Sequence, residues 1–149
     1  IEQNLVFPHY NIVKITKGTA NTITVTLTEK TTISSPRYLF EFKGDSTNEY
    51  TYCLVGTDLS THQERFNQFV ITETTSPDYS AAEIELSIGE YEYKAYELTS
   101  VQAAALDFND IDTSTYTCVE GACVARVYAS SDTTYTQYPA TTINTVYEG

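Results

Sequence analysis

The chain has 149 residues, 8 basic against 20 acidic side chains, a net charge of −12, and 41% hydrophobic residues. At that length and apolar content one domain buries a full core without staples. The sparse Lys and Arg exclude a surface built to displace counterions from nucleic acid or to dock on anionic lipid. Two further classes fall away with them, since no run of about 20 apolar residues would span a bilayer, and no basic-then-apolar leader opens the chain. The sequence begins at Ile1 and contains no Met. The expectation is therefore either a missing leading Met or an N-terminal piece cut away.

In chain order, "YNIVKIT" (10–16) alternates weakly and Lys17-Gly18 closes it. "NTITVTLTE" (21–29) alternates cleanly, with Ile23, Val25 and Leu27 on one face and threonines on the other. Strict alternation marks a half-buried strand, because successive side chains point to opposite faces. "RYLFEFKG" (37–44) sends Tyr38, Phe40 and Phe42 inward and leaves Leu39 for the second face; "YTYCLVG" (50–56) returns beside it. The polar stretch 57–67 holds about one helical turn. "QFVITET" (68–74) is a strand carrying Phe69 and Ile71. Residues 82–88 and 90–98 read as two strands meeting at Gly89, where the apolar parity changes from Ile84, Leu86 and Ile88 to Tyr91, Tyr93 and Ala95. The Ala run after Ser100 suits a short helix. "YTCVEGACVARVYAS" (116–130) reads as a hairpin turning at Glu120-Gly121, with Val124 and Val127 near the core, and "TTYTQY" (133–138) as a last strand.

Strands with turn signals every 8 to 12 residues predict an all-β, immunoglobulin-like antiparallel β-sandwich over residues 1–138, with 139–149 as a C-terminal arm. In such folds a tyrosine near the start of strand F bonds back to the backbone upstream, two residues before an inward site. "GEYEY" has that form: Gly89 at the bend, Tyr91 at the corner, and Tyr93 where antibody domains keep a cysteine. The predicted core is Ile23, Val25, Leu27, Phe40, Phe42, Ile71, Leu86 and Tyr93.

Candidates for chemistry are thin. His9 and His62 lie far apart in sequence, and no GxSxG elbow or Gly-rich phosphate loop is present. The one metal-like cluster, Asp107, Asn109, Asp110 and Asp112, has the oxygen ligands calcium takes. It breaks the EF-hand spacing at Ile111 and lacks the required glycine. No enzyme and no cofactor is expected. A hairpin turning at Glu120-Gly121 would put Cys118 opposite Cys123, at a separation that admits a cross-strand disulfide, although free thiols are the favoured expectation.

The stretches "YLFEFKGDSTNEYTYCLVGTDLSTHQERFNQFVIT", "AEIELSIGEYEYKAYELTS" and "ARVYAS" give residues 20 to 130 a pattern that resembles small acidic all-β virion proteins of tailed bacteriophages, crAss-like phages among them. The bracketing of "VEGA" by cysteines and the Tyr-rich end depart from that pattern. The resemblance implies a structural part of a virion: a capsid decoration, connector or tail component. It would be assembled in the host cytoplasm as a homo-oligomer or within a symmetric array, bound to other virion proteins and not to nucleic acid or membrane. The alternative expectation is a cell-surface adhesive or glycan-binding β-sandwich.

Overall fold

A computed structural model describes residues 12–130. Its strands are β1 (Val13–Thr16), β2 (Ala20–Val25), β3 (Arg37–Gly44), β4 (Tyr50–Leu54), β5 (Asn67–Glu73), β6 (Glu83–Ile84), β7 (Gly89–Leu98) and β8 (Thr117–Tyr128), and one helix, α1, covers Ser100–Ala104. They form a five-stranded sheet in the order β1-β8-β7-β3-β4 and a three-stranded sheet in the order β2-β5-β6. The two sheets pack as a β-sandwich. Taking β2, β3, β4, β5, β7 and β8 as B, C, C′, E, F and G gives the G-F-C-C′ and B-E neighbours of a variable-type immunoglobulin domain, but β6, beside β5 where such a domain has strand D, follows β5 in the chain. Two pairings depart from a purely antiparallel arrangement, because β1 runs parallel to β8 and β6 parallel to β5.

The inter-sheet core collects the alternate residues that the sequence marks as inward. Ile23, Val25, Leu27, Phe40, Phe42, Ile71, Leu86 and Tyr93 are all buried. Its centre is aromatic. Tyr93 stacks on Phe40 with ring centroids 5.9 Å apart, Phe69 meets Phe40 edge-on at 6.1 Å, and Tyr38 meets Phe69 edge-on at 5.7 Å. Offset and edge-on contacts of this kind add to the area they bury.

A second, smaller core lies on the outer face of the five-stranded sheet. Leu39, Leu54, Tyr96 and Leu98 point there, and Ala103, Leu106, Phe108, Ile111 and Tyr116 of the segment joining β7 to β8 fold down over them. Strand β3 is therefore buried on both faces. The covering segment starts with a capping box, in which the Gln102 amide N–H donates to Thr99 Oγ1 at 3.1 Å and the Thr99 amide N–H donates to Gln102 Oε1 at 2.9 Å. Phe108 at its far side stacks on Tyr79 at 6.0 Å.

Two expectations are corrected. The strand over 82–88 shrinks to Glu83–Ile84, and Ile88, placed inward by alternation, is 62% exposed. The cause is a side chain that takes the partner strand's place: the Leu86 N–H donates to the buried Glu73 carboxylate at 3.1 Å, and Lys17 Nζ donates to the Leu86 carbonyl at 2.8 Å. The hairpin at Glu120-Gly121 does not form. Residues Thr117–Tyr128 run as one strand along β7, and register shifts opposite Tyr93–Tyr96 absorb the surplus residues as bulges. The first strand of the five-stranded sheet, β1, comes from the weakly alternating 10–16 stretch, with Val13 and Ile15 buried. The expected strand at 133–138 and the arm at 139–149 lie outside the described residues.

Candidate functional site

The corner is built from the backbone outward. Gly89 has φ +149°, a conformation side-chain-bearing residues rarely adopt, which accounts for glycine at the point where the chain enters β7. Two residues on, the Tyr91 hydroxyl donates to the Ser87 carbonyl at 2.8 Å. The half-buried Tyr91 ring lies beside Gly44, its register partner on β3. Burial pushes its phenol pKa up, more than the Ser87 contact lowers it. Tyr93 follows at the fully buried inter-sheet position.

Among the described residues four glutamates are buried: Glu41, Glu73, Glu97 and Glu120. Each fastens something. Glu73, at the end of β5, accepts from Lys17 Nζ at 2.9 Å, from the Gly18 N–H at 2.8 Å and from the Leu86 N–H, tying the β1–β2 turn to the approach to β7. Burial alone pushes its carboxyl up, but the Lys17 ammonium and the two amides outweigh burial and hold it below the ordinary carboxylate value. Glu97 accepts from the Thr32 N–H at 2.8 Å and from the Thr32 hydroxyl, holding the β2–β3 connection. Glu41 accepts from the Tyr52 hydroxyl at 2.9 Å, and Glu120 pairs with Lys30 at 3.0 Å. Sequence reasoning passed over these residues, yet alternation carried a signal for two of them. Glu73 continues the inward parity of Phe69 and Ile71, and Glu97 that of Tyr93 and Ala95.

Asn67 does similar work at the opposite end. Its Oδ1 accepts from the Leu27 N–H at 2.7 Å and its Nδ2 donates to Asp58 Oδ2 at 2.6 Å, while Asp58 Oδ1 accepts from the Ser60 and Gln68 amides. This network floors an open cleft of about 450 Å³ lined by Thr28, Thr31, Ile33, Tyr38, Gln63 and Glu64 among others.

The remaining sequence candidates are dispersed. Cys118 and Cys123 sit on the same strand, opposite Tyr96 and Tyr93 of β7, so they do not face each other and both are free thiols. Burial pushes the Cys123 thiol up to about 11 and the Cys53 thiol up to about 12. Asp107 and Asp112 each spend a carboxylate oxygen on an amide two residues on, at 3.0 Å, which caps a turn in place of gathering a cation. Among the described residues no three His, Cys, Asp or Glu side chains come within metal-holding reach of one another. His62 is exposed beside Glu64, and His9 lies outside the described residues. Among the described residues no helix is long and apolar enough to cross a membrane.

Comparison of the chain with protein-family models, with curated proteins and with solved structures returns no match.

Proposed function

We propose that this chain is a non-enzymatic structural protein of a bacteriophage virion, a capsid decoration, connector or tail component that works through protein–protein contacts. The observation that carries the reading is where the acidic chemistry is spent. Buried Glu73, Glu97 and Glu120 fasten loops to the sandwich and buried Glu41 bonds Tyr52 of the neighbouring strand, while Glu85, Glu90 and Glu92 face water. Carboxylates thus serve rigidity inside and mutual repulsion outside, which keeps free copies of a −12 chain soluble before assembly. The resemblance of residues 20–130 to small acidic virion proteins supports the same conclusion. Its partners are other virion proteins, in a symmetric array assembled in the host cytoplasm.

The test is sedimentation of particles from a host producing the virus and a tagged copy of this chain. The chain is expected to band with the particles in a density gradient and to stay with them after washing in high salt. Recovery only at the top of the gradient would overturn the reading.

A glycan-binding or adhesive module is the second reading, favoured by the cleft over Asn67 and Asp58. Its Thr, Gln and Tyr side chains have the chemistry that meets sugar hydroxyls. Against it, Asn67, Asp58 and Tyr38 are already bonded within the protein, the last through a 2.7 Å contact between its hydroxyl and that of Thr31. Retention of the monomer on an immobilised-glycan column, together with absence from particles, would favour this second reading.

A further inference from the structure

Sheet edges carry unpaired backbone groups that template pairing with another chain unless something blunts or covers them. Three of the edges here are defended. Strand β4 lies against the turn at Tyr79–Ala81 and against β6. Strand β6 is two residues long. On the last side β1 is short and carries Lys14, and the part of β8 beyond it is bulged. Among the described residues strand β2 has none of these devices. Its six residues, Ala20–Val25, pair with β5 in unbroken register and include no Lys, no Pro and no bulge. No charged residue occurs between Lys17 and Glu29, an uncharged strip on a chain of net charge −12.

The register decides which backbone groups the edge offers. The Glu73 N–H donates to the Thr19 carbonyl at 3.0 Å, across the step that follows the Ala20–Thr72 pair. Hydrogen-bonded and non-hydrogen-bonded pairs alternate in an antiparallel ladder. Asn21, Ile23 and Val25 therefore bond toward β5, while Ala20, Thr22 and Thr24 turn their N–H and C=O groups outward. The far side of β5 agrees, because the Thr72 N–H, opposite Ala20, turns away from β2 to the Ala82 carbonyl at 3.0 Å. Ala20, Thr22 and Thr24 are exposed, and their outward groups bond no backbone group among the described residues.

We infer that this edge is the contact between two copies of the chain, β2 lying antiparallel to its counterpart around a two-fold axis at Thr22. The offered row is self-complementary. With Thr22 opposite the partner's Thr22, Ala20 falls opposite the partner's Thr24, and all three outward residues on each side enter hydrogen-bonded pairs. A shift by two residues in either direction leaves one of them unpaired. The uncharged strip gives a partner of opposite charge nothing to recognise and lets two acidic copies approach. Six residues a side is far below the roughly 800 Å² per partner of a stable interface. The dimer is therefore weak in free solution, and dense display of copies on one particle raises its occupancy through effective concentration. The inference stands whether or not the chain belongs to a virion.

Cysteine cross-linking reads the register directly, in full-length protein with Cys118→Ser and Cys123→Ser. Residues of a hydrogen-bonded antiparallel pair have Cα atoms about 5.5 Å apart, within disulfide range. Thr22→Cys is expected to give a covalent dimer on mild oxidation. Thr24→Cys, whose two copies would sit roughly 14 Å apart at the strand rise per residue, is expected to give none. Cross-linking of both, or of neither, would overturn the contact. Sedimentation is expected to show self-association that strengthens with salt, as like charge is screened, and that Thr22→Pro weakens at least tenfold. Proline at that outward-facing N–H is compatible with an edge strand, so its melting temperature checks the fold. Removal of 131–149 is expected to leave the self-association unchanged, and its loss would assign the contact to that segment and overturn the inference.

Discussion

Tyr91 shows how much of the corner hangs on one hydroxyl. Replacing it by Phe keeps the ring beside Gly44 and removes only the bond to Ser87, so Tyr91→Phe is expected to lose about 0.5–1.5 kcal/mol. Equal urea midpoints for mutant and parent would show that the bond contributes nothing. At Glu73 the consequence is a pH dependence. Its folded-state pKa is depressed below the ordinary value, so its stabilising contribution is present above that ordinary value, near pH 4.5, and is lost as pH falls through the lower folded value. Urea titrations from pH 7 to pH 3 are expected to show a steeper loss for the parent than for Glu73→Gln, and parallel curves would contradict the assignment. The thiols differ as well. Cys118 is exposed, Cys123 half-buried with its thiol pushed up to about 11, and Cys53 buried. Iodoacetamide at pH 8 is expected to modify Cys118 first and Cys53 only after unfolding, as mass spectrometry of the peptides would show.

Among the elements, the segment between β7 and β8 does the least expected thing, because it turns the outer sheet face into a second core. Phe108 anchors its far side on Tyr79. Phe108→Ala is expected to cost about 1 kcal/mol and to raise hydrogen exchange across 100–116 before the rest of the sandwich. Uniform exchange would mean that the segment and the sandwich open together. The alternation of Ile23, Val25 and Leu27, of Phe40 and Phe42, and of Tyr93 and Ala95 placed strands and core from the sequence, because burial of one face writes itself in every second residue. Leu39, on the wrong parity for the main core, foretold the second one. Alternation failed at 82–88, where Leu86 is buried but its backbone is held by Glu73 and Lys17 from distant strands. It failed again at Glu120-Gly121, where a turn-forming pair was overridden by the long template of β7. The capping box at Thr99 and Gln102 was readable and unused. The buried glutamates were half readable, since parity marks Glu73 and Glu97 as inward but not the amides that meet them.

For the whole molecule, two sheets share one aromatic centre. Phe40, in contact with Phe42, Phe69 and Tyr93, is the residue whose loss should be felt furthest. Phe40→Ala is expected to cost roughly 3–5 kcal/mol in chemical denaturation, and a cost below about 1 kcal/mol would mean the sheets do not depend on this packing. At the same scale, removing 139–149 is expected to leave the melting temperature of the domain nearly unchanged and, on the proposed virion role, to reduce the share of chains that band with particles. A truncated chain that fails to fold would make those residues part of the domain's own core. The fully buried Tyr93 has one more consequence. Antibody domains join their sheets at this position with a bond that must be oxidised after synthesis, whereas here a ring stacked on Phe40 occupies it and all three cysteines are free. Joining the two sheets of this sandwich therefore waits on no oxidant. The same two-sheet core can form whether or not the surroundings keep thiols reduced.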